Sequence, residues 1–240
     1  FFVVLGLASI FWLVPWCLQG GGGGGQAATE VGPTTLEILS KRSAWGAFFG
    51  HFCGNYFWYF LLTWLPTYFV NERGFSNAAM LRITSVSFFL IAAATVCAGW
   101  FSDRWIARGG SPTRVRKTVV AVGLTGSTII LPVAIVTNPM VAQALLLIAC
   151  MSFGIYVSNH WAITQTLAGP LAAGRWTSLQ NGVGNLSGIA GSWLTGMAVD
   201  QTKSFVLPFA IAGAIALTGA VLWVFVVGPV RQVEWKEGRA

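Results

Sequence analysis

The residues able to do chemistry lie inside segments that are otherwise apolar. His51, Asn55, Tyr59 and Thr63 recur every fourth residue within WGAFFGHFCGNYFWYFLLTWLPTYFV. On a helix they share one side, with a slow drift. Ser158, Trp161 and Gln165 are spaced three and then four apart, so they can present a hydroxyl, an indole N–H and an amide to one ligand. His160 adjoins that face, and Asn181 and Asn185 stand one turn apart in QNGVGNLSGIAG. Such groups recognise a polar solute through hydrogen bonds. They do not assemble a nucleophile, a base and an orienting acid, and neither paired acids nor an HExxH string is present to cleave a bond. In an apolar setting a polar stripe must line an aqueous cavity or find partners within a bundle. Interhelical hydrogen bonding, worth about 0.6 kcal/mol per contact, is the second role open to these residues.

Another set lies in AGWFSDRWIARGGSPTRVRK, from Ala98 to Lys117, which joins two long apolar segments. Gly99 permits close packing. Asp103 is positioned to pair with Arg104 or Arg108, or to sit against the N-terminus of a neighbouring helix, where negative charge is favoured. Either arrangement makes Gly99, Asp103 and Arg104 a conformational latch; a plain loop ion pair is the alternative.

The elements that must position these groups follow from composition. Hydrophobic residues make up 55% of the 240-residue chain and charged residues 9%, against about 25% charged in a soluble domain. A bilayer core of about 30 Å needs roughly 20 apolar residues of helix. Seven segments meet or nearly meet this length: Phe1 to Leu18, Ala44 to Val70, Ala78 to Phe101, Thr118 to Thr137, Met140 to Leu167, Trp176 to Val199, and Phe205 to Val230. None alternates polar and apolar residues as a barrel strand would. The expected class is all-α, a polytopic transmembrane helical bundle. The chain begins with Phe1 inside a span, without a basic flank, so a fragment lacking an N-terminal part is expected rather than a signal peptide.

Gly20 to Gly25 and the polar stretch reaching Arg42 read as a flexible linker; a low-complexity insertion without a role is the other reading. The net charge of +7 resolves into topology. Lys41, Arg42, Arg104, Arg108, Arg114, Arg116, Lys117, Arg175, Arg231, Lys236 and Arg239 fall on one side of the spans, and Arg73, Arg82 and Lys203 on the other. That bias assigns the first side, including the C-terminus, to the cytoplasm. Because the charges flank spans instead of forming one face, nucleic acid is not expected as a partner. Cys17, Cys53, Cys97 and Cys150 sit in different spans without metal-type spacing, so neither zinc nor a disulfide framework is expected. Gly184 and Gly188, extended by Gly191, Ser192 and Gly196, form a small-residue surface for helix packing. No acid falls within the hydrocarbon region, which limits proton coupling through this chain.

The loop signature at Gly99, Asp103 and Arg104, with its following basic run, resembles that of major facilitator transporters. The strings NYFWYFLLTWLPTYF and NHWAITQTLAGPLAAGRWTSLQNGVGNLSGIAG resemble the anion:cation symporter family within that superfamily, whose bacterial members take up hexuronates, galactonate and glucarate. The resemblance implies residues 1–18 as the last helix of an N-terminal bundle, 19–42 as a cytoplasmic Gly-rich linker, 43–230 as the second six-helix half and 231–240 as a cytoplasmic tail. It also implies Ser158, Trp161 and Asn181 as solute contacts, joined by His51 or Asn55 on the first helix of this half. The implied function is proton-coupled uptake of a small organic anion such as a sugar acid by alternating access, in the cell membrane (a bacterial inner membrane), with the missing N-terminal half as partner and no cofactor. A membrane-embedded enzyme and a non-transporting scaffold or sensor are the competing classes.

Overall fold

The computed structural model describes residues 32–235, together with the isolated positions Leu7, Phe11 and Pro15. The rest of the first span, with Cys17, the Gly20 to Gly25 run and the last five residues of the tail lie outside the described residues. Among the described residues there are helices and no strands.

After a five-residue helix, Thr35–Leu39, six long helices follow. We name them α1, Arg42–Thr67; α2, Asn77–Ala107; α3, Pro112–Ser127, continued as a 3-10 turn over Thr128–Ala134; α4 (139–168) and α5 (170–202); and α6, Val206–Val221, continued as a wide turn over Leu222–Val226. The last two residue ranges of the α4–α5 pair come from one helical run, Pro139–Thr202, which breaks at Gly169 with φ 64° and ψ 177°. That backbone is reserved for glycine. Pro170 then starts α5 in the first helical position, where its missing N–H costs nothing. The sequence placed the start of this span at Trp176; the Gly–Pro pair moves it earlier. Pro66 lies inside α1, which passes into a single wide turn over Tyr68–Glu72.

Helices α2, α3, α6 and the α4–α5 run are long and apolar enough to cross a membrane. Helix α1 has 26 residues, a rise of about 39 Å, and carries His51, Asn55, Tyr59 and Thr63 along its length. The observed order confirms the expected transmembrane helical bundle.

Two glycine surfaces let α1 lie at the centre. On one side Gly46, Gly50 and Gly54 meet Val227, Trp223 and Tyr156: a Cβ on Gly50 would lie 2.6 Å from Trp223 Nε1, and one on Gly54 would lie 2.5 Å from the Tyr156 hydroxyl. On the other side Gly184, Gly188, Gly191 and Gly196 of α5 receive His51 and Asn55, Tyr59, Tyr56 and Trp64. The expected GxxxG packing is therefore present, but the cargo in the groove is rings from α1 and not bare backbone. Aromatic contacts fill the remaining core, including Phe60 on Phe209 at 5.0 Å and Tyr68 on Phe209 at 4.8 Å.

The two ends of the bundle carry different chemistry. At the basic end Lys117 donates to the carbonyls of Val224 and Val227, and Arg42 to that of Phe225. These cations close the C-terminus of α6, where unpaired carbonyls and the helix dipole favour positive charge. Val233 N–H and Trp235 Nε1 donate to Leu167 and Ala168 carbonyls at the α4–α5 break, and Arg175 donates to the Pro33 carbonyl. At the opposite end Arg73 donates to Val133 and Val136 carbonyls and to the Tyr68 hydroxyl. Several basic residues read as topological markers are thus also helix caps.

Candidate functional site

Helix geometry sets the depth of the polar residues. Counted from the basic end at about 1.5 Å per residue, His51, Trp161 and Asn181 lie about 10 to 17 Å inside the bundle, close to the middle of a core about 30 Å thick. Three helices bring them together. The His51 ring stacks on His160 at 5.0 Å with 20° between planes, and its centroid is 5.0 Å from the Trp161 ring. Helix α5 closes the third side, where Gly184, about one turn beyond Asn181, lies against the His51 ring. One turn on, Tyr59 donates its hydroxyl to Asn185 Oδ1 at 2.7 Å, and Asn185 Nδ2 donates to the Asn181 carbonyl. Asn55 lies between these levels against Gly184.

Exposure separates what this surface holds from what it offers. His51 and His160 are each 3% exposed, and neither ring nitrogen of either one has a well-formed hydrogen bond among the described residues. Asn55, Tyr59 and Trp161 are half-buried, while Gln165, Asn181 and Asn185 are exposed. The result is a ledge of amide, phenol and indole groups backed by an imidazole pair. It can hydrogen-bond hydroxyl and carboxylate oxygens. It holds no nucleophile–base pair, and among the described residues no group of three or more His, Cys, Asp or Glu is placed to bind a metal.

The structure does not gather every residue singled out by spacing. Ser158 faces α2, where a Cβ on Gly99 would stand 3.5 Å from Ser158 Cβ, and its hydroxyl accepts from Asn159 Nδ2 at 3.1 Å. Gln165 lies about a turn nearer the basic end than Trp161. Thr63 is exposed further along α1 and no contact joins it to the His51 cluster. Gly99 brings α2 to α4 at ordinary van der Waals distance.

The latch expected at Asp103 has a different partner. Asp103 meets Arg116 of α3 at 3.4 Å rather than Arg104 or Arg108, and its side chain is 70% exposed. Arg104 instead lies over the Trp100 ring, 5.5 Å from its centroid. The reason is helical phase: residues 103 and 104 diverge by about 100°, and the turn at Gly109, with φ 95°, returns α3 to the Asp103 side.

One polar network escaped the sequence reading. Gln180 Oε1 accepts from Trp176 Nε1 at 3.1 Å and lies 3.0 Å from Thr164 Oγ1, all three buried. It ties α4 to α5 on the basic side of the His51 cluster. The i, i+4 spacing of Trp176 and Gln180 was visible; the partner on α4 was not.

Comparisons with known proteins agree with this architecture. Residues 1–192 match the Major Facilitator Superfamily. An uncharacterized transporter, YybO, of Bacillus subtilis is 30% identical over 87% of this chain and 48% of its own length. The chloroplastic ascorbate transporter of Arabidopsis thaliana is 33% identical over 78% of this chain and 34% of its own. The hexuronate transporter of Bacillus subtilis is 31% identical over 82% and 47%. The chain thus spans about half or less of the length of these relatives. Among solved structures, a mutant peptide transporter POT in complex with sulfate superposes with a TM-score of 0.64 at 17% identity, over 81% of this chain and 41% of that one. At that identity the likeness is one of fold.

Proposed function

Because the chain belongs to the major facilitator superfamily, we propose that it forms the second half of a secondary transporter for a small organic anion such as a sugar acid. Residues 43–230 are the six-helix half, 1–18 the last helix of the first half, 19–42 a linker between the halves, and 231–240 a tail. The basic end faces the cytoplasm of a cell whose plasma membrane holds the protein; for a bacterial source this is the inner membrane. The observation that carries the reading is the convergence of α1, α4 and α5 near mid-depth. There His51, Asn55, Tyr59, Trp161 and Asn181 make one ledge, and among the described residues no helix packs over its exposed Asn181 amide.

Such a ledge fits a solute with several hydroxyls, since each amide or phenol both donates and accepts. Gln165 extends it along α4 toward the basic end, while Ser158 stands on the neighbouring α2 side of the same helix. The names of the relatives, which include hexuronate and probable galactarate/D-glucarate transporters, support a sugar acid over a neutral sugar. Alternating access rocks this bundle against the missing half around the ledge. Gly99, Asp103 and Arg104, at the α2–α3 connection, gate the basic end. Protons drive uptake, with the acids that carry them in the missing half, since the described carboxylates lie at helix ends or in the segments that join them.

The whole protein in proteoliposomes tests this reading. Under an inward proton gradient it accumulates a labelled hexuronate or galactonate, not the matching neutral sugar, and accumulation stops when the gradient is dissipated. Equal equilibration of sugar acid and neutral sugar, or hydrolysis of the solute, would overturn it.

A further inference from the structure

The α2–α3 face at the basic end carries two cavities that meet. A groove of about 530 Å³ runs between α2 and α3 over α4, lined by Leu90, Ala93, Cys97, Val122 and Ile155. Phe101 and Trp105 form its mouth, and the same two residues border a second hollow of about 360 Å³ closed by Trp100, Arg104 and Arg108. The small side chains Ala93, Ala94, Cys97 and Ala98 recur along α2 and create the groove by leaving space. From Leu90 to Trp105 the helix rises about 22 Å, more than the roughly 15 Å depth of one leaflet's hydrocarbon. With Trp105 near the basic end of α2, the groove is long enough to hold an acyl chain through one leaflet.

The mouth has the matching charge. Arg104 and Arg108 are exposed, and neither has a carboxylate at ion-pair distance among the described residues, because Asp103 is turned to Arg116. Trp100 is 63% and Trp105 38% exposed, as indoles are at a membrane–water boundary. Arg104 is held over the Trp100 ring, which orders the guanidinium while leaving its N–H groups free. Two forked donors beside an apolar slot recognise a phosphate that carries a chain.

We propose that this mouth and groove form a binding site for one anionic phospholipid of the leaflet at the basic end, its phosphate on Arg104 and Arg108 and one acyl chain in the groove. The site is separate from the α1–α4–α5 ledge and does not depend on what that ledge carries. A neutral lipid fills the same groove more weakly, because only the charge term distinguishes the two.

Native mass spectrometry of the whole protein, released from micelles containing equal phosphatidylglycerol and phosphatidylcholine, tests the site. The native protein retains phosphatidylglycerol preferentially. Loss of each arginine weakens that retention about five-fold, and Arg104→Gln with Arg108→Gln about thirty-fold, while Arg231→Gln, which removes an equal charge at the same end away from the groove, leaves it unchanged. Ala93→Leu, on the groove wall, lowers retention of both lipids. The proposal fails if Arg231→Gln reduces retention as much as Arg104→Gln, which would mean general surface potential. It also fails if neither the arginine pair nor Ala93→Leu changes retention, which would mean that protein covers the groove.

Discussion

Replacing each glycine of the α5 stripe by alanine gives a graded test of the α1–α5 interface. A Cβ on Gly184 would lie 2.8 Å from His51 Nε2, and closer still to Cδ2; the nearest atoms are at 3.2 Å for Gly188, 3.5 Å for Gly191 and 3.6 Å for Gly196. A side-chain tip can usually swing aside, but His51 is held between His160 and Trp161, each 5.0 Å away ring to ring. Overpacking of this kind costs about 1–3 kcal/mol. Alanine returns up to about 1 kcal/mol of helix propensity at every position. Gly184→Ala should therefore lower stability by up to about 2 kcal/mol, or about 4–8 °C in Tm for a domain of this size. Gly188→Ala should be near neutral, and Gly191→Ala and Gly196→Ala neutral to stabilising. Thermal unfolding of the purified protein in detergent, followed by tryptophan emission, reads the series. Because the Gly184 change also displaces His51, solute affinity should fall there and not at Gly196. A flat series, or one with Gly196→Ala the worst, would refute this packing.

Gly169→Ala should cost about 1–3 kcal/mol from its positive-φ, extended-ψ backbone alone, and more because the new Cβ would meet Gln232 at 2.5 Å; a thermal midpoint measures it. Asp103→Asn should change stability by less than about 1 kcal/mol, since its ion pair with Arg116 is exposed. If Asp103 gates the transporter, vesicle uptake in the same variant falls while Tm holds. An equal loss of both would make it a structural residue.

The fold was largely legible because a bilayer turns apolar length directly into helices. Six spans from Ala44 to Val230 appear where hydropathy puts them, and the basic residues gather at one end. The errors sit where backbone or phase decides. Gly169 and Pro170 shift the start of α5, an effect of two residues that a hydropathy window averages away. Asp103 was paired with arginines near in sequence, whereas the turn at Gly109 delivers Arg116. For the site, period-four spacing correctly put His51, Asn55 and Tyr59 on one face, and the structure brings Trp161 and Asn181 to it. Ser158 lies on the α2 side because a single helix cannot show which neighbour its face meets. The Gly46, Gly50 and Gly54 stripe and the Gln180 network depend on partners far away in sequence, on α4 and α6, which spacing along one helix does not reveal.

The claim that α1, α4 and α5 together form the solute ledge is tested most directly at Asn181. Asn181 is exposed, it lies about one turn before Gly184, which faces the His51 ring, and its carbonyl holds Asn185. Losing one hydrogen bond to a charged ligand costs about 1.5–3 kcal/mol, or roughly 10- to 150-fold in affinity. With Asn181→Ala in the whole protein, initial-rate uptake of a labelled sugar acid into proteoliposomes should show a KM raised at least about ten-fold, with membrane insertion and Tm unchanged. Uptake with the native KM would contradict the account.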